Sequence, residues 1–349
     1  MAAALCALFG LLSLMGVLAF RFPALLTTPH LRATYDPDHL RILMAAGLIV
    51  CAGCGAFALY KRASLALAFL GLAAAAACLA LGGPAVAIGE LKPTPFYIGL
   101  DWFVIGLLTT GGAFVLIEKL APLRREQPVL REDWTLDLKH FFMFHRLIGF
   151  YLFAGNYIVH EWFSWMIIPG VGGAVRELPF LVQFLLILVA VDFAQYWVHR
   201  LYHSPGFFWR VHSVHHSAEH MDWLASSRLN VIEPLITRTL GLLAIAVCGF
   251  DQGPINAYIL FIGFHATFIH ANCGIEFAAL ERFFVTPKHH HWHHAKDEEA
   301  INKNFAVHLS IFDRIFGTYY LPKAWPEAYG VVGEAPPKSL ARQQLHPFA

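Results

Sequence analysis

The chain has 349 residues, of which 57% are hydrophobic and 14% are charged, and its formal net charge is +1. Soluble domains carry about 25% charged residues, so a water-soluble globule of this length could not bury so much apolar surface. The near-neutral charge gives no indication of a nucleic-acid partner. The mean hydropathy of +0.54 favours a membrane protein instead.

Long apolar stretches with at most one charged residue recur along the chain, and each approaches the length that crosses a bilayer core of about 30 Å. They are residues 2–20, 42–60, 64–88, 102–117, 147–168 and 178–198. A later apolar pair, 235–250 and 255–270, is divided by a Gly-Pro turn signal and forms either a tight transmembrane hairpin or a re-entrant one. These stretches predict an all-α fold, a polytopic membrane helical bundle.

Basic residues follow the second and the fourth of these stretches, which places those ends in the cytoplasm by the positive-inside rule. They are Lys61, Arg62, Lys119, Arg124, Arg125 and Arg131. If successive spans alternate in direction, the chain returns to the cytoplasm at His199. The hairpin 235–270 leaves from that face and comes back to it. We therefore expect the histidine-rich segments on both sides of the hairpin to form a metal domain at the cytoplasmic face. Arg32 and Arg41, in the first loop, count against this orientation.

The six cysteines lie mostly inside apolar runs. Cys51 and Cys54 form a Cys-x-x-Cys pattern, but Ala, Val and Gly surround them. Small residues in such a span favour helix packing over redox or zinc chemistry. We predict no disulfide framework.

Thirteen of the twenty histidines lie between His199 and His294, mostly at spacings that suit a metal. One pair reads His-x-x-x-His, and two triplets read His-x-x-His-His. On a helix, residues three or four apart share one face, so the imidazoles of each set can converge. Imidazole suits iron, zinc, copper or nickel. Three such sets exceed the three or four ligands that one zinc ion needs, which indicates a two-metal centre.

The sequence around these histidines carries recognisable motifs. One run reads Asp192-Phe-Ala-Gln-Tyr196-Trp-Val-His199-Arg-Leu-Tyr-His203, and a second reads His212-Ser-Val-His215-His216. A third reads Thr286-Pro-Lys-His-His290-His-Trp-His293-His294, followed by Asn302-Lys-Asn304-Phe and Phe312-Asp313-Arg-Ile-Phe-Gly317-Thr-Tyr. In this order the motifs resemble the fatty acid hydroxylase/sterol desaturase superfamily, over about residues 130–322.

The resemblance implies a membrane non-haem diiron oxygenase that hydroxylates or desaturates a lipid with O2 and two electrons. The implied ligands are His199, His203, His212, His215, His216, His290, His293 and His294, with His270 as a further candidate. Zinc can replace iron in purified protein because it competes well for imidazole. The lipid, the reaction outcome and the oligomeric state stay open.

The chain shows neither a cytochrome b5 haem site nor a Gly-rich flavin or nicotinamide fingerprint. Electrons are therefore expected from a separate partner, either a cytochrome b5-like protein or a ferredoxin with its reductase. The substrate is expected to arrive from the bilayer through the apolar spans.

Asp192 and Tyr196 are the candidate catalytic residues beside the metal. They share one polar stripe with His199 on an otherwise apolar helix, where an acid is costly unless it is paired. We predict that Asp192 accepts the free N–H of a ligating histidine. Arg228, by contrast, is expected to extend to lipid phosphates, and His289 and His291 are either partners of the ligands or solvated.

The resemblance divides the chain into three parts. Residues 1–125 would form transmembrane helices of unassigned role, residues 126–325 the catalytic domain and residues 326–349 a C-terminal tail. The tail contains Pro336-Pro337 and little periodicity, which predicts an extended cover or disorder. Asp313 is expected to act in a turn or cap that folds the tail back onto the metal domain.

Two other classes of protein compete with the oxygenase. A zinc transporter or sensor would bind metal without redox catalysis, and its ligands should line a path across the bilayer. A structural membrane module would use histidines only to cap helices, and it would not produce repeated triplets at helical spacing.

Overall fold

The structure is a computed structural model that describes residues 2–32, 34–62, 64–91, 97–168 and 170–349. Within these residues the regular elements are helices, and extended pairing is limited to isolated bridges. Five helices are long and apolar enough to cross a membrane, which confirms the predicted all-α polytopic architecture. They are Ala2–Arg21, Pro37–Tyr60, Leu65–Ala85, Leu100–Leu120 and Phe180–Tyr202.

The fifth predicted stretch, 147–168, differs from this set. The helix Trp134–Trp162 covers its first part, and a 3-10 turn at Ser164–Met166 follows. Asn156, His160 and Glu161 interrupt the apolar run. These polar groups lower its mean hydropathy, and the helix is not among the five that meet the length and hydropathy of a span in the described residues.

The chain divides into two compact units, residues 1–108 and 109–349. The helices of the first unit are α1 (Ala2–Arg21), α2 (Pro23–Leu26), α3 (Pro29–Arg32), α4 (Pro37–Tyr60) and α5 (Leu65–Ala80), followed by a 3-10 turn at Gly83–Ala85. The three long helices α1, α4 and α5 pack against one another. Helix α4 begins where the Asp36 carboxylate accepts from the backbone N–H groups of Asp38 and His39, as N-capping residues do.

Small residues let α1 and α5 approach closely. A Cβ atom added to Gly10 would lie 2.2 Å from the Gly71 carbonyl oxygen, and one added to Gly71 would lie 2.4 Å from the Cys6 backbone. Cys51 Sγ lies 3.6 Å from Cys6 Sγ in the same buried layer. Cys51 therefore packs between helices, as small residues do in membrane bundles.

We predict that Gly71→Ala destabilises the first unit by about 1–3 kcal/mol, because the new methyl group overpacks the contact with α1. Gly53→Ala is the matched control, since nothing lies within 4 Å of its added Cβ, and alanine favours a helix over glycine. Thermal unfolding in detergent measures both. Equal melting temperatures for the two variants would contradict the close approach.

The second unit begins within α6 (Leu100–Leu120). Its other helices are α7 (Trp134–Trp162), α8 (Val171–Arg176), α9 (Phe180–Tyr202), α10 (Phe207–His216), α11 (Ile232–Cys248), α12 (Gln252–Phe268), α13 (Pro287–His293), α14 (Ile311–Ile315) and α15 (Leu340–Leu345), with 3-10 turns at Ala225–Ser227, Glu298–Ala300 and His346–Phe348. Helices α11 and α12 pack against α9, and α7 packs against α11. The predicted apolar hairpin corresponds to α11 and α12. Each has 17 residues, or about 26 Å of helix, which is short of the bilayer core.

The C-terminal tail is an ordered cover of the second unit. Gln343 is fully buried, and its Oε1 atom lies 2.7 Å from His140 Nε2. The Asn230 side chain donates to the Gln343 carbonyl oxygen at 3.0 Å. Of the two alternatives for the tail, the structure therefore contains the cover.

Candidate metal centre

Two helices joined by a tight turn present the first histidine motifs. His199 lies in the last turn of α9, and His203 is its C-terminal cap. Gly206 adopts a φ of 88°, a conformation that glycine reaches without strain, and α10 begins at the next residue. The chain therefore reverses within a few residues and brings the histidines of α10 back toward α9.

The third motif lies on a short helix with a defined start. Thr286 caps α13 by accepting from the backbone N–H of His289, and Pro287 occupies the first helical turn. Three predicted ligands follow on α13 and at its C-terminal cap. His270 lies two residues beyond the end of α12.

All nine predicted metal ligands meet in two groups whose nitrogen atoms lie within 4.8 Å of one another. The five-histidine group comprises His199, His203, His212, His216 and His293. The four-histidine group comprises His215, His270, His290 and His294. Each group draws from both sides of the hairpin, as a shared coordination site requires.

The nitrogen separations match those of ligands around one metal ion. In the five-histidine group, His199 Nε2 lies 3.0 Å from His212 Nε2, and His216 Nε2 lies 3.1 Å from His293 Nε2. Two nitrogens bound at about 2.1 Å and at right angles stand roughly 3.0 Å apart. The residues of this group therefore fit a transition-metal ion.

The four-histidine group has the same spacing. His270 Nε2 lies 3.1 Å from His215 Nε2 and 2.9 Å from His290 Nε2. His290 Nε2 in turn lies 3.1 Å from His294 Nε2. These nitrogens also fit one metal ion.

Backbone carbonyl groups orient the rings from outside. In the five-histidine group, His199 Nδ1 donates to the Phe305 carbonyl at 2.8 Å, and His293 Nδ1 donates to the Lys303 carbonyl at 2.8 Å. A proton on Nδ1 leaves the Nε2 lone pair directed into the group. The tautomer that binds metal is thus fixed by the fold.

The four-histidine group uses acceptors from other parts of the chain. His270 Nδ1 donates to the Ala266 carbonyl at 2.6 Å, inside the last turn of α12. His215 Nδ1 donates to the Arg228 carbonyl at 3.1 Å. The same tautomer follows, because each Nδ1 atom carries the proton.

Glu233 lies beside a predicted ligand and has no place in the predicted site. Its Oε1 atom lies 3.0 Å from His212 Nδ1, so it supplies the carboxylate that such ligands often contact. Glu233 lies in the first turn of α11, and an acid at the start of an apolar helix was the available signal. Its partner is 21 residues away in a different helix, which spacing alone does not reveal.

Burial makes these histidines neutral. For ligands outside the membrane-spanning helices, desolvation is the largest cause that lowers the pKa, and neighbouring imidazoles lower it further. The pKa falls well below its usual value for His203, His212, His215, His216, His290, His293 and His294. Neutral imidazole is the form that binds metal, so no proton competes for these sites near neutral pH.

The predicted partner of Asp192 was wrong. Its carboxylate accepts from three backbone N–H groups, those of Val307 at 3.1 Å, His308 at 3.0 Å and Leu309 at 2.6 Å, instead of from a histidine ring. These three donors satisfy a fully buried acid on α9, because peptide N–H groups replace the water it has lost. Asp192 thus fixes a loop rather than a ligand directly.

Tyr196 is buried beside the same loop. Its hydroxyl oxygen lies 2.9 Å from Thr318 Oγ1, and its ring packs on Phe305 and Phe316. These contacts connect α9 to the segment after α14. Its catalytic assignment stays a prediction.

Asp313 closes the loop from the other end. Its carboxylate accepts from the backbone N–H groups of Phe305 at 2.7 Å and Ala306 at 3.0 Å, and from Thr318 Oγ1 at 2.7 Å. Burial is the largest cause that raises its pKa, to about 6, while these hydrogen bonds act in the opposite direction. Asp313 therefore acts in a turn, as predicted, but the turn joins residues 305 and 306 to Thr318 and does not hold the tail.

Other polar residues near the ligands are buried rather than solvated. Arg228, expected at lipid phosphates, is 1% exposed, and its guanidinium pairs with Asp137. The prediction was wrong because a buried carboxylate far earlier in the chain supplies its partner. His289 and His291 are both 0% exposed. The His291 Nε2 atom donates to the Ala271 carbonyl, so its Nδ1 atom accepts from the Tyr329 hydroxyl. The solvated alternative is therefore excluded.

Comparison with known proteins agrees with the motifs. Residues 184–318 match the family described as fatty acid hydroxylase, which confirms the predicted resemblance. This segment contains all nine histidines together with Asp192, Glu233 and Asp313. No solved structure matches the chain.

Three curated relatives indicate the range of similar proteins. An ornithine lipid hydroxylase of Rhizobium tropici is 31% identical over 176 residues, which cover 49% of this chain and 52% of that protein. An alkylglycerol monooxygenase of Danio rerio is 31% identical over 150 residues, covering 42% of this chain and 32% of the relative. A very-long-chain aldehyde decarbonylase of Arabidopsis thaliana is 25% identical over 149 residues, or 37% and 22%. The matches span about half or less of these relatives.

We predict that Glu233→Ala lowers metal affinity by about 10–100-fold, because His212 loses the carboxyl group that lies beside its Nδ1 atom. Glu233→Gln keeps an oxygen atom at this position and should lie between this variant and the wild type. Titration of metal-loaded protein with a chelator measures the change. Glu299→Ala, at an exposed position, is the control, and an affinity equal to that control would exclude the role of Glu233.

Proposed function

We propose that the chain is a membrane-bound lipid hydroxylase in which the five-histidine and four-histidine groups each hold one iron ion. The observation that supports this most is the convergence of nine buried histidines into two groups with metal-ligand spacing. The match of residues 184–318 to the fatty acid hydroxylase family supports the reaction class. Hydroxylation is favoured over desaturation because two of the named relatives are a hydroxylase and a monooxygenase.

Iron with O2 would supply the oxidising power to break an unactivated C–H bond, which no side chain provides. The protein's own residues perform the rest. Carbonyl acceptors preset four of the nine histidines, His199, His215, His270 and His293, in one tautomer, so these four need neither lose a proton nor rotate before they bind metal. Burial of the ligands excludes water from their surroundings, which strengthens the hydrogen bonds that orient them.

The lipid and the electron donor complete the proposal. The apolar surfaces of the five candidate spans would deliver a hydrocarbon chain from the bilayer. We propose that electrons come from a separate protein, either cytochrome b5-like or a ferredoxin with its reductase. A zinc transporter is less well supported, because the nitrogen atoms form two closed clusters instead of a succession of sites along a path.

We predict that the purified protein contains about two transition-metal ions per chain, since two coordination spheres are present. His215→Ala and His293→Ala should each reduce the metal content and the hydroxylated product together. His39→Ala, at a 78% exposed side chain, is the matched control and should change neither. Elemental analysis of detergent-purified protein measures the metal, and one ion or none in active wild type would refute the two-metal assignment.

Lipid analysis tests the reaction. Cells that express the wild-type chain should accumulate a lipid with one additional oxygen atom, and cells that express His215→Ala should not. Extracts are compared by mass spectrometry, with equal expression verified by immunoblot. A product that instead lacks two hydrogen atoms would identify a desaturase, and an unchanged lipid profile with fully metal-loaded protein would contradict the oxygenase.

We also propose that both histidine groups lie at the cytoplasmic face, based on Lys61, Arg62 and the basic residues after α6. A reporter enzyme that works only in the cytoplasm should therefore be active when it is fused after residue 349, and a reporter that works only after export should be inactive there. Activity of an exported reporter at the same position would reverse the topology.

A further inference from the structure

We propose that the two metal positions have separate supports, and that Asp192 and Asp313 are positioning residues for the five-histidine group alone. This inference rests on the proposed two-metal function. It concerns the loop 302–309, which lies between α13 and α14 and has no regular secondary structure.

The loop supplies acceptors to two ligands, and both belong to the five-histidine group. The Lys303 carbonyl accepts from His293 Nδ1, and the Phe305 carbonyl accepts from His199 Nδ1. A displacement of the loop would therefore release the orientation of two of the five rings. Each ring could then rotate, and its Nε2 lone pair would no longer face the metal position.

Two buried carboxylates hold the loop in place. Asp313 accepts from the backbone N–H groups at 305 and 306, and Asp192 accepts from those at 307, 308 and 309. Five successive peptide N–H groups are thus bound by two side chains that are both 0% exposed. Hydrogen bonds to an ionised acceptor are stronger than neutral ones, so the two acids substitute for the missing helix or sheet.

The backbone of the loop requires such support. Asn302 and Asn304 both adopt a φ of 59°, in the left-handed region that costs a residue other than glycine some free energy. The Asn304 side chain compensates by donating to the His289 carbonyl at 3.0 Å and to the Tyr320 carbonyl at 2.7 Å. The loop conformation is therefore imposed by its surroundings.

The four-histidine group depends on a different part of the molecule. His270 donates to the Ala266 carbonyl within α12. His215 donates to the Arg228 carbonyl, and the buried Arg228 guanidinium is held by Asp137 and by the Ser217 carbonyl at 3.0 Å. These acceptors lie outside the loop 302–309, so loss of Asp192 or Asp313 leaves their hydrogen bonds in place.

The first experiment measures metal ions per chain in Asp313→Asn and Asp192→Asn. Asparagine keeps the size of the aspartate side chain but carries no charge. It also replaces one carboxylate oxygen by an NH2 group, so a donor faces a peptide N–H group where an acceptor stood. We expect each variant to fall from about two ions to about one. Asp297→Asn is the matched control, because its carboxylate is partly exposed, and it should retain both ions.

Double variants identify which ion is lost. Asp313→Asn combined with His212→Ala removes the same position twice, so this protein should hold as many ions as Asp313→Asn alone. Asp313→Asn combined with His270→Ala removes both positions and should hold almost none. A general loss of folding would lower both double variants equally, so the difference between them is a readout that a merely structural role would not produce.

The outcomes separate this inference from the proposed function. A wild type with fewer than two ions contradicts the two-metal function itself. A wild type with two ions, combined with an Asp313→Asn protein that holds two or none, overturns the separate supports and leaves the function standing.

If Asp313→Asn does not fold in detergent, Asn304→Gly tests the same loop, because glycine accepts the φ of 59° and removes only the side-chain bonds. Retention of both ions by Asn304→Gly and Asp192→Asn then overturns the inference.

Discussion

The hydrogen bond from a histidine Nδ1 atom to an acceptor outside the centre is the interaction on which the metal site depends. Imidazole carries one proton in its neutral form, and the position of that proton decides which nitrogen offers a lone pair. Carbonyl groups of Phe305, Lys303, Arg228 and Ala266 accept this proton from four rings. The Nε2 atoms consequently face one another at about the spacing of metal ligands, and the architecture serves to hold those acceptors.

The helices add a second electrostatic contribution. All the predicted ligands except His212 lie at or just beyond the C-terminal ends of α9, α10, α12 and α13. A helix C-terminus carries partial negative charge and favours cations. Nine neutral imidazoles would bring no charge of their own to compensate the two cations proposed above, and the four convergent helix ends would provide part of that compensation. Ligands at helix ends also project beyond the backbone, which lets four helices meet without a clash between their main chains.

The sequence predicts the ligands better than it predicts what orients them. Spacings of three and four residues encode a shared helix face, so eight of the nine histidines were accessible to a local pattern and His270 only to the family resemblance; the structure brings all nine into two groups. Asp192 was equally visible as a costly acid in an apolar helix, yet its partners lie more than 100 residues later and are backbone groups, which carry no side-chain signal. Glu233 was missed and Arg228 was misjudged because their partners are side chains distant in sequence, His212 and Asp137. Their partners are set by tertiary packing, and neither residue stands at ligand spacing.

The segment that matches the fatty acid hydroxylase family, 184–318, includes every predicted ligand, the four carbonyl acceptors between Arg228 and Phe305, and Glu233. The named relatives that share parts of this chain include a hydroxylase, a monooxygenase and a decarbonylase. One supporting scaffold is therefore compatible with different reaction outcomes. Because the ligand set alone does not separate these outcomes, we expect the outcome to depend on which substrate carbon reaches the proposed metal positions. We expect surfaces around the scaffold to make that selection, and in this chain the first compact unit, residues 1–108, lies entirely outside the matched segment.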